Sequence, residues 1–329
     1  MFKRWREIGS ASYRLGRRAF PVLVSGGLIT WLVWSVTPGK LLWALSNFNW
    51  PWLLVATLVQ LVVLFAWDTI CLWWLFSQPN RSLPFRMVLR VRTDTILWSA
   101  INLEIGQGAF AWKLARVLEE PVIHAMGRCF LLGLFDFGTL TSLALVCSFL
   151  QPNGLIWYLR WVCLGSVLGI GLLYLAVKFL PERWRQWVMS KQWGSWLAWW
   201  DWRRSLVLWA MRLILFLLVI AYAGVGLAIC RIPADLRTVF GTIPFVMLAE
   251  ALPGTGGLGE REAALLYLLN PPEEQRAVLL SFGLIWSTVI ILGRIAIGLV
   301  SSCLPRAEAG RARSQPDQQN SQPAAMAPR

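Results

Sequence analysis

The stretch LPGTGGLGERE, residues 252–262, lies within a segment that is otherwise as apolar as a membrane span. One Pro, four Gly and three charged residues cannot sit in a lipid-facing helix. Each unpaired backbone N–H or C=O at that depth would cost several kcal/mol, roughly. Such backbone survives only where protein packs around it or where it lines a polar cavity. This stretch therefore marks the expected working site.

The surrounding composition agrees. The chain has 329 residues, 57% of them hydrophobic and 15% charged, with a mean hydropathy of +0.56. Several runs exceed the ~20 apolar residues needed to cross a hydrocarbon core. The expected fold is all-α and polytopic, a single transmembrane domain over 20–304. A basic cytoplasmic segment (1–19) precedes it and a disordered tail (305–329) follows.

A net charge of +14 raises the question of nucleic acid. The basic residues cluster beside the spans, where anionic headgroups and topology explain them, so no nucleic-acid partner is expected. The 22 Trp also suit a membrane protein, since indole rings favour the interface. The Trp-rich loop 181–204 reads as an amphipathic segment lying on the membrane. The six cysteines show no CxxC spacing and read as buried packing, without a metal site or cofactor.

Six full spans are expected, at 20–36, 51–76, 122–150, 155–180, 205–229 and 277–304. Two further apolar segments are broken. Segment 93–118 is interrupted by Glu104, Gly106, Gln107 and Gly108, and segment 239–269 by Pro253 through Glu262. Each half has roughly ten to fourteen residues, or ~15–20 Å of helix, half a bilayer. Both read as re-entrant helical hairpins.

The positive-inside rule supports this count. With a cytoplasmic N-terminus, Arg86, Arg90, Arg92, Lys113, Arg116, Arg183, Arg203, Arg204 and the basic tail all fall inside. Outside remain Lys40, Arg231, Arg237 and Arg276. Each half then reads span, span, hairpin, span, starting from opposite faces. That is the pattern of an inverted-topology repeat with its site near the midplane.

Within the spans lie Asp68, Arg128, Asp136, Arg160, Arg212, Glu250 and Arg294. Arg128, Arg160 and Arg212 are close enough to span ends to snorkel. Asp136, Arg294 and Glu250 are expected to form ion pairs or a proton relay. Gly165 and Gly169 form a GxxxG expected to pack closely against a helix. In the second broken segment, Gly256, Gly257 and Gly259 free the backbone, a helix N-terminus faces the break, and Arg261 suits phosphate. Either one of Glu260 and Glu262 pairs with Arg261 while the other carries a proton, or both cap the helix. In the first, Asn102, Glu104 and Gln107 supply partners around Gly106 and Gly108, followed by Lys113 and Arg116.

At these residues the chain resembles the transmembrane-domain family of lysylphosphatidylglycerol synthases, flippase-like membrane proteins. The family's P-x-x-G-G-x-G-x-R-E pattern appears as Pro253, Gly256, Gly257, Gly259, Arg261 and Glu262. Asn102, Gly108 and Lys113 match its first hairpin, while Ala109 replaces the usual acidic residue. The resemblance implies a multi-pass protein of a bacterial-type inner membrane that handles lipids. No soluble aminoacyl-transferase domain is visible, so aminoacyl-lipid synthesis by this chain alone is not expected.

The expected function is transport or flipping of an anionic or polyprenyl-phosphate lipid through a cavity between the hairpins. Pro253, Gly256, Gly257, Gly259, Arg261, Glu262, Asn102, Glu104, Gly108 and Lys113 would contact the substrate. One alternative is a non-catalytic partner of an envelope-lipid synthase or glycosyltransferase. Another is an intramembrane lipid-phosphate transferase or phosphatase with Glu262 as acid or base.

Overall fold

The computed structural model describes residues 27, 30–32, 34, 38–46, 48–77, 83–101, 103–151, 154–179, 181–183, 202–250 and 259–303. Every regular element among them is helical: α1 (Pro38–Ser46), α2 (Trp50–Phe76), α3 (Phe85–Ile101), α4 (Leu103–Leu118), α5 (Val122–Cys147), α6 (Gly154–Lys178), α7 (Trp202–Ile229), α8 (Leu236–Glu250), α9 (Glu260–Leu269) and α10 (Glu273–Cys303).

Five helices are long and apolar enough to cross a membrane: Trp50–Phe76, Val122–Cys147, Gly154–Ala176, Trp202–Ile229 and Glu273–Ser302. At ~1.5 Å per residue they run roughly 35–45 Å, beyond the ~30 Å of a hydrocarbon core. The chain is a multi-pass membrane protein on this ground. Most of the span expected at 20–36, most of the Trp-rich loop and the tail lie outside the described residues. Leu32 is described, and it packs with Ala277 and Leu280 of α10.

Both broken segments fold as helix pairs, and local chemistry explains their bounds. α3 and α4 pack against each other, and α8 and α9 form the second pair. Asp235 accepts the Thr238 N–H at 2.9 Å and caps the start of α8. The Thr238 hydroxyl and amide hold the Asp235 carboxyl below the usual carboxylate range. Pro244 sits inside α8, where it removes one helix hydrogen bond. Each pair exits alike. Glu119 after α4 and Asn270 after α9 adopt left-handed backbone, and proline follows at Pro121 and Pro271–Pro272.

The first hairpin departs from expectation in two ways. Its first arm begins at Phe85 rather than at position 93, so its arms have 17 and 16 residues. Glu104, Gly106, Gln107 and Gly108 do not interrupt a helix; they lie within α4. Gly106 instead permits close approach. A Cβ there would fall 1.9 Å from the Ser99 hydroxyl and 2.7 Å from the Ser99 Cα.

The helices pack in a regular order. α3 lies on α10 and α8 on α5; α4 lies on α5 and α9 on α10. α2 touches α3 and α7 touches α8, while α2 and α7 pack on each other. The larger core joins α2 and α5 through α10 around Phe216, Ile220, Ile243, Leu265, Phe282 and Trp286, with Ile156 and Cys163 from one side of α6. A second core joins α2, α3, α4 and α5 around Phe76, Val88, Phe110, Leu114 and Leu132. α6 lies at the perimeter with Trp157, Tyr158, Trp161 and Leu172 exposed. Gly165 and Gly169 on it meet nothing within 4 Å. Among the described residues the expected close packing of that GxxxG does not occur, because α6 has α5 as its neighbour and turns the glycines away from it.

Candidate functional site

The second hairpin turns at Gly259, whose φ of 94° requires glycine. Three residues on, the Glu262 carboxylate is fully buried and accepts the Gly259 N–H at 2.6 Å. This caps α9 with a negative charge at the positive end of the helix. The second carboxylate oxygen accepts the Ser287 hydroxyl of α10 at 2.7 Å. A Cβ on Gly283, one turn before Ser287, would fall 2.9 Å from the Glu262 Cγ.

Arg261 points the other way along the same tip. Its Nε pairs with Glu250 at the end of α8. Its Nη1 donates to Ser287 Oγ at 3.1 Å, and the guanidinium stacks 4.4 Å from the Trp286 ring. Trp286 Nε1 donates to Gln60 Oε1 of α2 at 2.9 Å. The Trp286 ring meets Tyr222 of α7 at 5.0 Å, and Tyr222 shares a 2.6 Å hydrogen bond with Thr57. Five helices are thereby joined through one polar chain. Of the two arrangements left open for the carboxylates, Glu262 caps, while the partner of Arg261 is Glu250 from the opposite arm.

A second charged cluster joins α2, α3, α5 and α7. Asp68 of α2 accepts Arg92 Nη2 at 2.7 Å and Arg212 Nη1 at 2.8 Å. Arg212 Nε reaches Asp136 of α5 at 2.9 Å. The Arg212 side chain is 3% exposed, so it does not snorkel as expected. It is held inside by two carboxylates, whose attraction offsets the desolvation of the guanidinium. Asp136 therefore pairs with Arg212 rather than with Arg294. Arg128 is likewise buried, gripping both Glu120 oxygens at 3.2 Å. Arg160 donates to the Ser148 carbonyl at 2.8 Å.

The first hairpin is tied to α10. Lys113 of α4 pairs with Asp94 of α3, and Ser301 Oγ donates to Asp94 at 2.7 Å. Arg294 Nη1 donates to the Ser99 carbonyl at 3.3 Å. A Cβ on Gly298 would fall 2.3 Å from the Leu97 Cγ, bringing α3 and α10 close.

Of the expected site residues, Gly259, Arg261, Glu262 and Glu250 are brought together at one tip. Gly108, Lys113 and Arg294 belong to the other hairpin and its support. Pro253, Gly256, Gly257 and Asn102 lie outside the described residues, as does the Glu104 side chain. Gln60, Tyr222, Trp286 and Ser287 were missed. Each is uncharged and reads in sequence as span filling, although Gln60 is a polar residue in an otherwise apolar helix. The described cysteines, Cys71, Cys129, Cys147, Cys163 and Cys230, are buried and free.

An apolar cavity of about 230 Å³ lies between α5, α6 and α7, lined by residues that include Phe135, Thr139, Ile170 and Trp209. It runs alongside α5 within a turn of Asp136. No protein-family model, curated protein or solved structure matches this chain, and what the site does rests on its own geometry.

Proposed function

We propose that the protein carries the headgroup of an anionic or polyprenyl-phosphate lipid between leaflets, through a cleft where two opposed re-entrant hairpins meet. The observation that carries this reading is the order of contacts along α10. Starting at Glu273, α10 meets the outer turns of α9 through Ala277 and Leu280. It meets the tip of that hairpin at Ser287. It then meets the end of α3 at Arg294 and the first hairpin's more open part at Ser301. Ser287 and Arg294 are seven residues apart, about 10 Å of helix and nearly one face. The hairpins thus open toward opposite ends of α10, with their tips close together in the middle.

The paired helix contacts support an inverted-topology repeat, since exchanging α2–α5 with α7–α10 returns the same packing list apart from the slight α7–α10 contact. The left-handed residue and proline that end each hairpin fit the same exchange. Inverted repeats place a substrate at the midplane between two broken elements. In this reading the basic loops face the cytoplasmic side of an inner membrane. The resemblance to lipid-handling membrane proteins points the same way.

The test is leaflet exchange of labelled lipids in liposomes containing the purified chain. Protein-dependent exchange of phosphate-bearing lipids, and not of neutral diacylglycerol, is expected. No exchange across a panel of anionic and polyprenyl-phosphate lipids would refute the proposal.

A further inference from the structure

Most interior guanidiniums of the described residues are occupied. Arg92 and Arg212 share Asp68, Arg261 holds Glu250 and Ser287, and Arg128 holds Glu120. Arg294 differs. Its one hydrogen bond is to the Ser99 carbonyl, at 3.3 Å, and no carboxylate comes within ion-pair distance among the described residues. A guanidinium has five N–H donors, and the Arg294 nitrogens that do not bond Ser99 keep some solvent contact.

The surroundings sharpen the imbalance. Glu250 and Asp68 lie within electrostatic reach of Arg294, but each already serves another guanidinium. Arg294 sits nine residues before the end of α10, about 14 Å of helix, well within the hydrocarbon depth. An uncompensated cation there costs at least ~2.5–3.5 kcal/mol on insertion scales. It stands beside the end of α3, seven residues along α10 from Ser287, with donors left over.

We infer that Arg294 is the cation that receives the phosphate of the lipid headgroup, with Arg261 framing the opposite tip rather than binding the anion. This rests on the transport reading and names its phosphate-binding residue. A phosphomonoester or phosphodiester matches the planar fork of free N–H groups that the arginine presents. A lipid phosphate and a free phosphate ion share this chemistry, so the test separates them.

The experiment uses the full chain in nanodiscs with three probes: inorganic phosphate, a short-chain phosphatidic acid, and diacylglycerol of the same chain length. Tryptophan fluorescence and native mass spectrometry read binding. Phosphatidic acid is expected to bind, diacylglycerol not, and inorganic phosphate only at far higher concentration. Arg294→Gln should weaken phosphatidic acid binding about tenfold to hundredfold, and Arg294→Lys should restore part of it. Because Arg294 has one long hydrogen bond, Arg294→Gln should leave the melting temperature unchanged or raised. A large fall in melting temperature would make the residue structural and overturn the inference. Undiminished binding and lipid exchange by Arg294→Gln would overturn it while leaving the transport reading intact. Wild-type protein that neither binds nor exchanges any phosphate-bearing lipid would sink both. Inorganic phosphate binding as tightly as phosphatidic acid would assign the site to a free anion and overturn the lipid assignment.

Discussion

Replacing Glu262 by Gln tests the cap at the second hairpin. The carboxylate is fully buried and accepts two short hydrogen bonds, from the Gly259 N–H at 2.6 Å and the Ser287 hydroxyl at 2.7 Å. Gln retains one acceptor and turns an NH₂ group toward the other donor. One charge-assisted bond is lost, about 1.5–3 kcal/mol, and the facing donor is left unsatisfied. A net cost of about 3 kcal/mol follows. At roughly 2–4 °C per kcal/mol, the melting temperature should fall by about 6–12 °C. The buried thiols Cys71, Cys129, Cys147, Cys163 and Cys230 supply the assay, since a thiol-reactive fluorophore labels them as the bundle opens. A double-mutant cycle adds a stricter test. Glu262→Gln and Ser287→Ala break the same bond, so their combined cost should fall short of the sum by about 1 kcal/mol. A melting temperature within about 2 °C of wild type, or strict additivity, would refute the cap.

Three further outcomes are expected. Asp68→Asn leaves Arg92 without its carboxylate and Arg212 with only Asp136, and should destabilise by about 3–5 kcal/mol; Asp136→Asn should cost less, because Arg212 keeps Asp68. Thermal melts compare the two. Gly106→Ala drives a methyl into Ser99 and should cost about 1–3 kcal/mol, whereas Gly108→Ala meets nothing within 4 Å and should be neutral or stabilising by helix propensity. The same thermal assay reads both. Single cysteines at Arg86 and Glu273, in a cysteine-free background, should label from opposite faces of sealed vesicles with a membrane-impermeant maleimide. Labelling of both from one face would rule out opposed hairpins.

How much of this was legible from the chain differs by element. The spans at α2, α5, α6, α7 and α10 were readable because hydrocarbon demands a run of apolar residues of fixed length. The second hairpin was readable because glycine, proline and charge together contradict a lipid-facing helix. The first was read as broken, but its break was misplaced. Glu104 and the glycines near it look like interruptions, yet a helix that packs against protein accepts them. The glycine pair on α6 was misread for the converse reason, since a motif does not say whether a neighbour is present.

Charge partners were hidden altogether. Asp68, Arg92, Asp136 and Arg212 come from four helices spread over 144 positions between Asp68 and Arg212. Nothing local in the sequence links them. Arg212 was expected at an interface from its distance to a span end, whereas burial depends on what the neighbouring helices offer.

The sequence by itself determined that this chain lives in a membrane and that its backbone breaks before Glu260. Both follow from the cost of exposing charge and unpaired amide groups to hydrocarbon, which composition alone reports. The tertiary structure decided which charges are neutralised: Glu250 for Arg261, Asp68 for Arg92, Asp68 and Asp136 for Arg212, and no carboxylate among the described residues for Arg294. Pairing depends on distances of a few ångströms between helices far apart in the chain, and those distances are set only when the helices pack.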